Sequence, residues 1–350
     1  MKRVLVLFVV ALVLVSGVSA QDLSGLGRDF EIVIEELGAA TLPALTQSAI
    51  WGQYTGTASF VDDSRFFLTL SLGTILTDGI LGFVDDEEAF TVLNVPGLFR
   101  TILDAADVDA LTNAFEGMKT FFPVPVSRVS AGVKLPGDLE AMVGFGGVPA
   151  FATAPVLRGL NADGLELGMV HVGTKVRRAV LRDAGPFPAI SVGAGYGYSG
   201  FRFAYDLAQL GEGRGEYGGL SVELGELYLK GVMSVDSRVH SFGLDLHASK
   251  AFGFFVPYVG ISPYYHISSF SGGVGSPDNE FDAYVDYEDD GEKDIEYTGR
   301  PPRTAVVDDD LSIVVFSGFD MVFGRVVLQV NGSWGIGSGY PGVALNVRWQ

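Results

Sequence analysis

Residues 126–145 read VSRVSAGVKLPGDLEAMVGF. Val129, Ala131, Val133 and Leu135 share one parity; Arg128, Ser130, Gly132 and Lys134 share the other. Successive side chains of a strand point to opposite faces, so this segment carries one apolar face and one polar or small face. Pro136-Gly137-Asp138 supplies a tight turn, because proline presets its backbone angle and glycine and aspartate tolerate left-handed conformations. Leu139, Ala141, Val143 and Phe145 then resume an apolar face opposite Glu140, Met142, Gly144 and Gly146. The stretch reads as a β-hairpin.

The pattern recurs along the chain. Ile190, Val192, Ala194, Tyr196 and Tyr198 alternate with serine and glycine, and Phe242, Leu244, Leu246 and Ala248 alternate with Gly243, Asp245, His247 and Ser249. Val259, Ile261, Tyr265 and Ile267 oppose Tyr258, Gly260, Ser262, Tyr264 and His266; Val326, Leu328, Val330 and Trp334 oppose Val327, Gln329, Asn331 and Ser333. The final segment, GVALNVRWQ, sets Val343, Leu345, Val347 and Trp349 against Ala344, Asn346, Arg348 and Gln350. Weaker candidates are 50–60, 65–75, 164–181, 218–231 and 311–321. Together these predict about 12 strands, within a range of 10–14. Tight connections at 61–64, 136–138 and 183–187 follow odd-numbered strands in that count, whereas 250–254 follows an even one. One strand is therefore miscounted, with 148–162 and 214–240 the suspect stretches.

The ends and the composition narrow the class. MKRVLVLFVVALVLVSGVSA (residues 1–20) has a basic start, an apolar run from Val4 to Val15 and a small-residue Val-Ser-Ala site, the pattern of a secretory signal peptide cleaved after Ala20. An uncleaved anchor is the alternative, although the apolar run is short for a spanning helix of about 20 residues. The chain has no cysteine, which excludes disulfides, Cys-metal sites and lipid attachment at a lipoprotein cysteine. Mean hydropathy is +0.32, yet no later apolar run reaches the length of a membrane helix. Forty-seven glycines and 38 Phe plus Tyr accompany this hydropathy. Backbone polar groups in lipid must be satisfied internally, so a greasy chain without spanning helices points to a closed barrel. A net charge of −19 opposes nucleic-acid binding.

Alternation alone also describes a secreted β-sandwich or soluble barrel. Small, Gly-rich polar faces and aromatics near strand ends (Tyr196, Tyr198, Tyr265, Trp334, Trp349) favour a transmembrane, antiparallel up-and-down barrel. The strand-and-turn rhythm of 127–203 and the last strand resemble bacterial outer-membrane β-barrel proteins. That resemblance implies the outer membrane of a diderm bacterium, contact with outer-membrane lipid, and recognition of residues 342–350 by the barrel-assembly machinery. Gln350 after Trp349 departs from the usual terminal aromatic. In outline the chain is also similar to porins and to FadL-like transporters, but it has no matching N-terminal motif, so no site residues carry over.

Two segments lie outside the strand pattern. Phe30, Val33, Ile34 and Leu37 give an N-terminal helical or plug segment within 21–47, and 95–121 carries a second helical stripe through Leu98, Ile102, Leu111, Phe115 and Met118. Each is either a simple surface helix or a constriction of the pore. The expected organisation is thus signal peptide 1–20, helical segment 21–47 and barrel 48–350, with a loop helix at 95–121 and an acidic extracellular loop at 274–310.

Three chemistries remain. Inward-facing Arg128, Lys134, Glu140, Asp245, His247, Asn331 and Arg348 are the expected lumen lining, either lining an open pore or satisfying one another in a plugged barrel. Asp245, His247 and Ser249 share a strand face and form a candidate for a hydrolase relay, although a triad is defined by geometry that a sequence does not supply. Finally, residues 286–297, DYEDDGEKDIEY, space Asp286, Glu288, Asp290, Asp294 and Glu296 roughly as a calcium loop does. Glu288 at the third position and Tyr297 at the twelfth depart from that pattern. Residues 276–310 hold 13 acidic and 3 basic side chains; loose capture of divalent cations by an outer loop is the simpler reading. No cofactor is implied. The expected function is a channel or transporter for small solutes or lipids, the alternative a closed structural or surface-interaction barrel, and a barrel-borne hydrolase the distant third.

Overall fold

The computed structural model describes residues 26–50, 58, 65–78, 121–148, 165–206, 226–230, 232–275, 281–286, 295–299, 303–336 and 339–350. The signal segment and residues 95–120 of the expected loop helix lie outside these residues, and position 121, its expected last residue, begins a strand instead. In chain order the elements are α1 (Leu26–Ile50), β1 (Phe66–Asp78), β2 (Phe121–Leu135), β3 (Leu139–Val148), β4 (Leu165–Leu181), β5 (Ala189–Asp206), β6 (Glu226–Lys230), β7 (Val232–Ser249), β8 (Phe255–Gly275), β9 (Phe281–Asp286), β10 (Ile295–Gly299), β11 (Arg303–Phe323), β12 (Val326–Ile336) and β13 (Pro341–Trp349). Ten of the strands close into an antiparallel barrel ordered β1-β13-β12-β11-β8-β7-β5-β4-β3-β2. Closure joins β1 to β13 from Leu68↔Trp349 to Ile75↔Gly342.

The barrel has ten strands, not about twelve. Of the 218–231 candidate, the described residues 226–230 do not join it: β6 pairs with β9, and β10-β9-β6 form a separate three-stranded sheet. The candidate strand at 50–60 begins on the last residue of α1, Ile50. Both segments have strand-like composition, and alternation does not reveal which sheet a strand joins. Counted over the ten strands of the barrel, the tight connections at 136–138, 182–188, 250–254 and 324–325 all follow even-numbered strands, so they share one end of the barrel. The 136–138 turn has Gly137 and Asp138 at φ of 79° and 57°, left-handed positions that suit these two residues.

The wall is inverted relative to a water-soluble protein. Leu70 is 46% exposed on the outer face while its neighbour Ser71 is fully buried; Leu345 is 52% exposed beside a fully buried Asn346. Val129, Val143, Phe145, Leu244 and Val259 also project outward, and Arg128, Glu140, Lys175 and Arg177 are buried inside. Aromatics mark two levels. Phe66, Phe187, Phe252, Phe254, Phe323 and Trp349 are exposed at the tight-turn end. Higher up, Tyr265 and Trp334 are exposed and the Tyr196 hydroxyl meets His240 Nδ1 at 2.9 Å. From Phe255 to Tyr265 on β8, strand rise and a tilt of about 40° give an apolar band of about 26 Å, near the height expected for a barrel in a bilayer.

Above that band β5, β7, β8 and β11 continue, and the polarity reverses. Arg202, Arg238 and Ser271 are exposed outside, while Val235, Phe270 and Ile34 of α1 pack together inside. Apolar side chains turned inward and charged ones outward are the sorting expected of a section in water. Residues 303–312 of β11 pair only with β8 among the described residues, since pairing with β12 starts at Ile313. Exposed Asp308, Asp309 and Asp310 on this free edge discourage edge-to-edge association.

Candidate functional site: the barrel interior and its helix

α1 runs inside the barrel. Its Ile34 packs with Val235 and Phe270 at the long-loop level. Leu45 and Ala49 pack with Val239, and Ile50 joins Tyr258, Tyr264, Val314 and Phe316 lower down. Gly38 lies against the Phe270 ring, where a Cβ would come within 2.6 Å, so glycine is what allows the helix this close to the wall. Among the described side chains, polar contacts join the helix to the wall at Glu35, Gln47 and Ser48. Ser48 Oγ lies 2.8 Å from Ser199 Oγ, which is itself 2.6 Å from His171 Nδ1. Gln47 Nε2 donates to the Tyr340 carbonyl at 3.0 Å, and Thr304 Oγ1 donates to Glu35 Oε1 at 3.1 Å. A barrel of eight strands is just filled by its own side chains, so a ten-stranded one holding a helix of about 10 Å diameter leaves little open section.

Below the helix, charged side chains cross the interior. Arg177 donates from Nε and Nη2 to the two oxygens of Glu140 at 3.0 and 3.2 Å, and Arg348 Nη2 donates to Oε2 of the same carboxylate at 3.1 Å. The Arg348 guanidinium also stacks 3.7 Å above the Phe67 ring. Lys175 Nζ lies 3.0 Å from Asp245 Oδ1. Arg128 Nε donates to Ser130 Oγ at 3.3 Å, and Gln329 Nε2 donates to Asp320 Oδ1 at 3.1 Å.

Of the residues expected to line the interior, Glu140 and Arg348 meet directly. Asp245 meets Lys175 instead, and Arg128 and Asn331 are buried on the same inner face. Lys134 is half-buried beside the 136–138 turn. His247 is fully buried, its Nδ1 3.9 Å from Asp245 Oδ2, and neither ring nitrogen has a hydrogen-bond partner among the described residues. Its ring meets Phe316 edge-on at 4.5 Å, and Ser249 accepts from the Ala58 amide, so no nucleophile–base relay is assembled there. Lys175 and Arg177 were missed by sequence reasoning although the signal is visible: in HVGTKVRR, His171, Gly173, Lys175 and Arg177 share one parity. Asp320 gives no such signal, because its inner-face neighbours Val314 and Phe316 are apolar.

The calcium-like loop is bounded by paired strands rather than helices: Val285 faces Ile295 and Tyr284 faces Glu296. Asp286 ends β9 and Glu296 lies on β10, while Glu288, Asp290 and Asp294 fall outside the described residues. Among the described residues no cluster of three His, Asp or Glu could hold a metal ion.

No protein-family model and no curated protein matches the chain. Several solved structures are similar to it. The translocator domain of the autotransporter NalP from Neisseria meningitidis aligns over 92% of this chain and 98% of its own, at 10% identity and a TM-score of 0.34. The outer-membrane protease OmpT from Escherichia coli aligns over 85% and 99%, at 12% identity and a TM-score of 0.37. A Pseudomonas aeruginosa FadL homologue aligns over 83% and 91%, at 9% identity and a TM-score of 0.25. Similarity this low leaves the function of the chain to its own residues.

Proposed function

We propose that this chain is an outer-membrane passage protein for small solutes or lipids whose lumen α1 holds shut at rest. One observation carries the reading. Ser71, Ser191, Ser262 and Asn346 are fully buried on the inner face, yet their side chains have no hydrogen-bond partner among the described residues. Dry interiors rarely leave such groups unsatisfied, whereas a wetted lumen satisfies them with water. Export through residues 1–20, with cleavage after Ala20, and recognition of residues 342–350 by the assembly machinery complete the proposal. The acidic segment 274–310 then faces the exterior, at the end opposite the tight turns.

The test is conductance in a planar bilayer, comparing the intact chain with a variant lacking residues 26–50. The intact barrel should show brief steps or none, and the variant stable steps. The second reading, a closed structural barrel, is favoured by the Glu140–Arg177–Arg348 layer below the helix. A variant that folds, shown by its heat-modifiable gel mobility, and stays silent would establish that reading instead.

A further inference from the structure

On the outer wall the register aligns two rows of side chains. Leu139, Arg178, Val192, Leu246 and Ile261 form one; Val176, Ala194 and Leu244 form the row above it, and Pro263 on β8 falls level with Leu244 where the ladder is interrupted. Ala194 is short among larger neighbours, and a concave groove opens over it, walled by Val176, Val192, Leu244, Leu246 and Ile261. Above, the Tyr196 and Phe242 rings lie 5.1 Å apart. The wall is interrupted at the same place. The β7–β8 ladder pairs Gly243 with Tyr264 and Leu246 with Ile261 but skips Leu244 and Asp245. Pro263 has no N–H to offer across that step, so the two strands are less tightly joined there.

Arg178 stands at the lower rim of the groove. It is exposed, faces outward, and makes no hydrogen bond or ion pair among the described residues. It lies three residues before the end of β4, about 10 Å along the strand. From there its long side chain reaches the headgroup level at the tight-turn end. A guanidinium on a lipid-facing wall is costly unless it reaches water or an anionic group, and it binds phosphate bidentately.

We propose that this groove is a site for one glycerophospholipid of the leaflet at the tight-turn end, with its phosphate on Arg178 and an acyl chain lying over Ala194 toward the Pro263 gap. The inference rests on the outer wall lying in a bilayer, but not on whether the lumen conducts. Native mass spectrometry of the intact barrel in detergent tests it, with added phosphatidylglycerol, diacylglycerol of the same chains, or lipid A. The expected result is one phosphatidylglycerol retained per barrel and no retained diacylglycerol. Retention should fall at least fivefold in Arg178→Gln and in Ala194→Leu, which fills the groove, and stay unchanged in Arg325→Gln, an exposed arginine in the 324–325 turn. Equal retention in all variants, retention of diacylglycerol as strong as that of phosphatidylglycerol, or preferential retention of lipid A would overturn the proposal. A barrel that conducts normally but retains no phospholipid would defeat this site alone.

Discussion

Arg348 on β13 and Glu140 on β3 meet at 3.1 Å although their strands stand three places apart around the ring. The contact therefore spans the interior, and Arg177 on β4 completes it from the neighbouring strand. A buried carboxylate shared by two guanidinium groups ties the first half of the barrel to its last strand. Removing one partner of such a set strands the other charges away from water. Glu140→Ala should lower stability by about 3–5 kcal/mol in urea unfolding from lipid vesicles. A loss under about 1 kcal/mol would mean that water already solvates both arginines.

The contact between Ser48 and Ser199 offers a reversible lock, because the chain has no cysteine of its own. Their hydroxyl oxygens are close enough that a Ser48→Cys/Ser199→Cys pair should form a disulfide. Oxidised protein should be silent in a planar bilayer, and reductant should raise its open probability at least tenfold. Identical traces before and after reduction would show that α1 does not gate the lumen.

Position along the wall should set the cost of a charge. Leu345 lies midway between the two aromatic levels on β13, and Val326 pairs with Trp349 at the lower one. Leu345→Arg should cost about 2–4 kcal/mol and Val326→Arg no more than about 1, measured by the same unfolding assay. Equal costs at both positions would contradict the placement of the band.

The turn end carries an acid-sensitive clamp. Asp183, between β4 and β5, accepts hydrogen bonds from the Lys250 ammonium and from the Ala251 amide at 2.7 Å. The Lys250 hydrogen bond first, then the amide, hold its carboxyl below the ordinary aspartate range. A depressed folded-state pKa stabilises above the unfolded value of about 3.9 and is lost as pH falls through the folded value. Asp183→Asn should therefore lower Tm at pH 7 and flatten the decline below pH 4. Parallel profiles for the two proteins would show that the clamp adds nothing to folding.

For the β9–β10 hairpin, millimolar calcium should raise Tm by no more than about 2 °C, since loose charge screening stabilises little. A large saturable rise, abolished by Asp286→Ala, would instead establish a specific site.

Much of the barrel was legible from parity. Ser130, Gly132 and Gly144 face inward and Val129, Ala131 and Val143 outward because a strand has no other way to sort them. The strand number was not legible, because Leu227, Tyr228 and Leu229 of β6 look like barrel strand and pair with β9 instead. Within the interior, Arg348 and Glu140 were identifiable as inward-facing residues, but their pairing was not. Nor was the isolation of His247, whose neighbours Phe316 and Tyr258 arrive from other strands.

The sequence by itself determined the two-faced strands, the turn residues and the apolar band, all consequences of local backbone geometry and of side-chain solubility. Only the tertiary structure decided that ten strands close, that Glu140 gathers Arg177 and Arg348, and that the wall weakens where Pro263 faces Leu244. It also decided that α1 occupies the interior, since amphipathic periodicity shows that a helix needs an apolar partner and leaves open which surface provides it. Those outcomes depend on ring closure and register, which bring together residues as far apart in sequence as Gln47 and Tyr340 or Leu68 and Trp349.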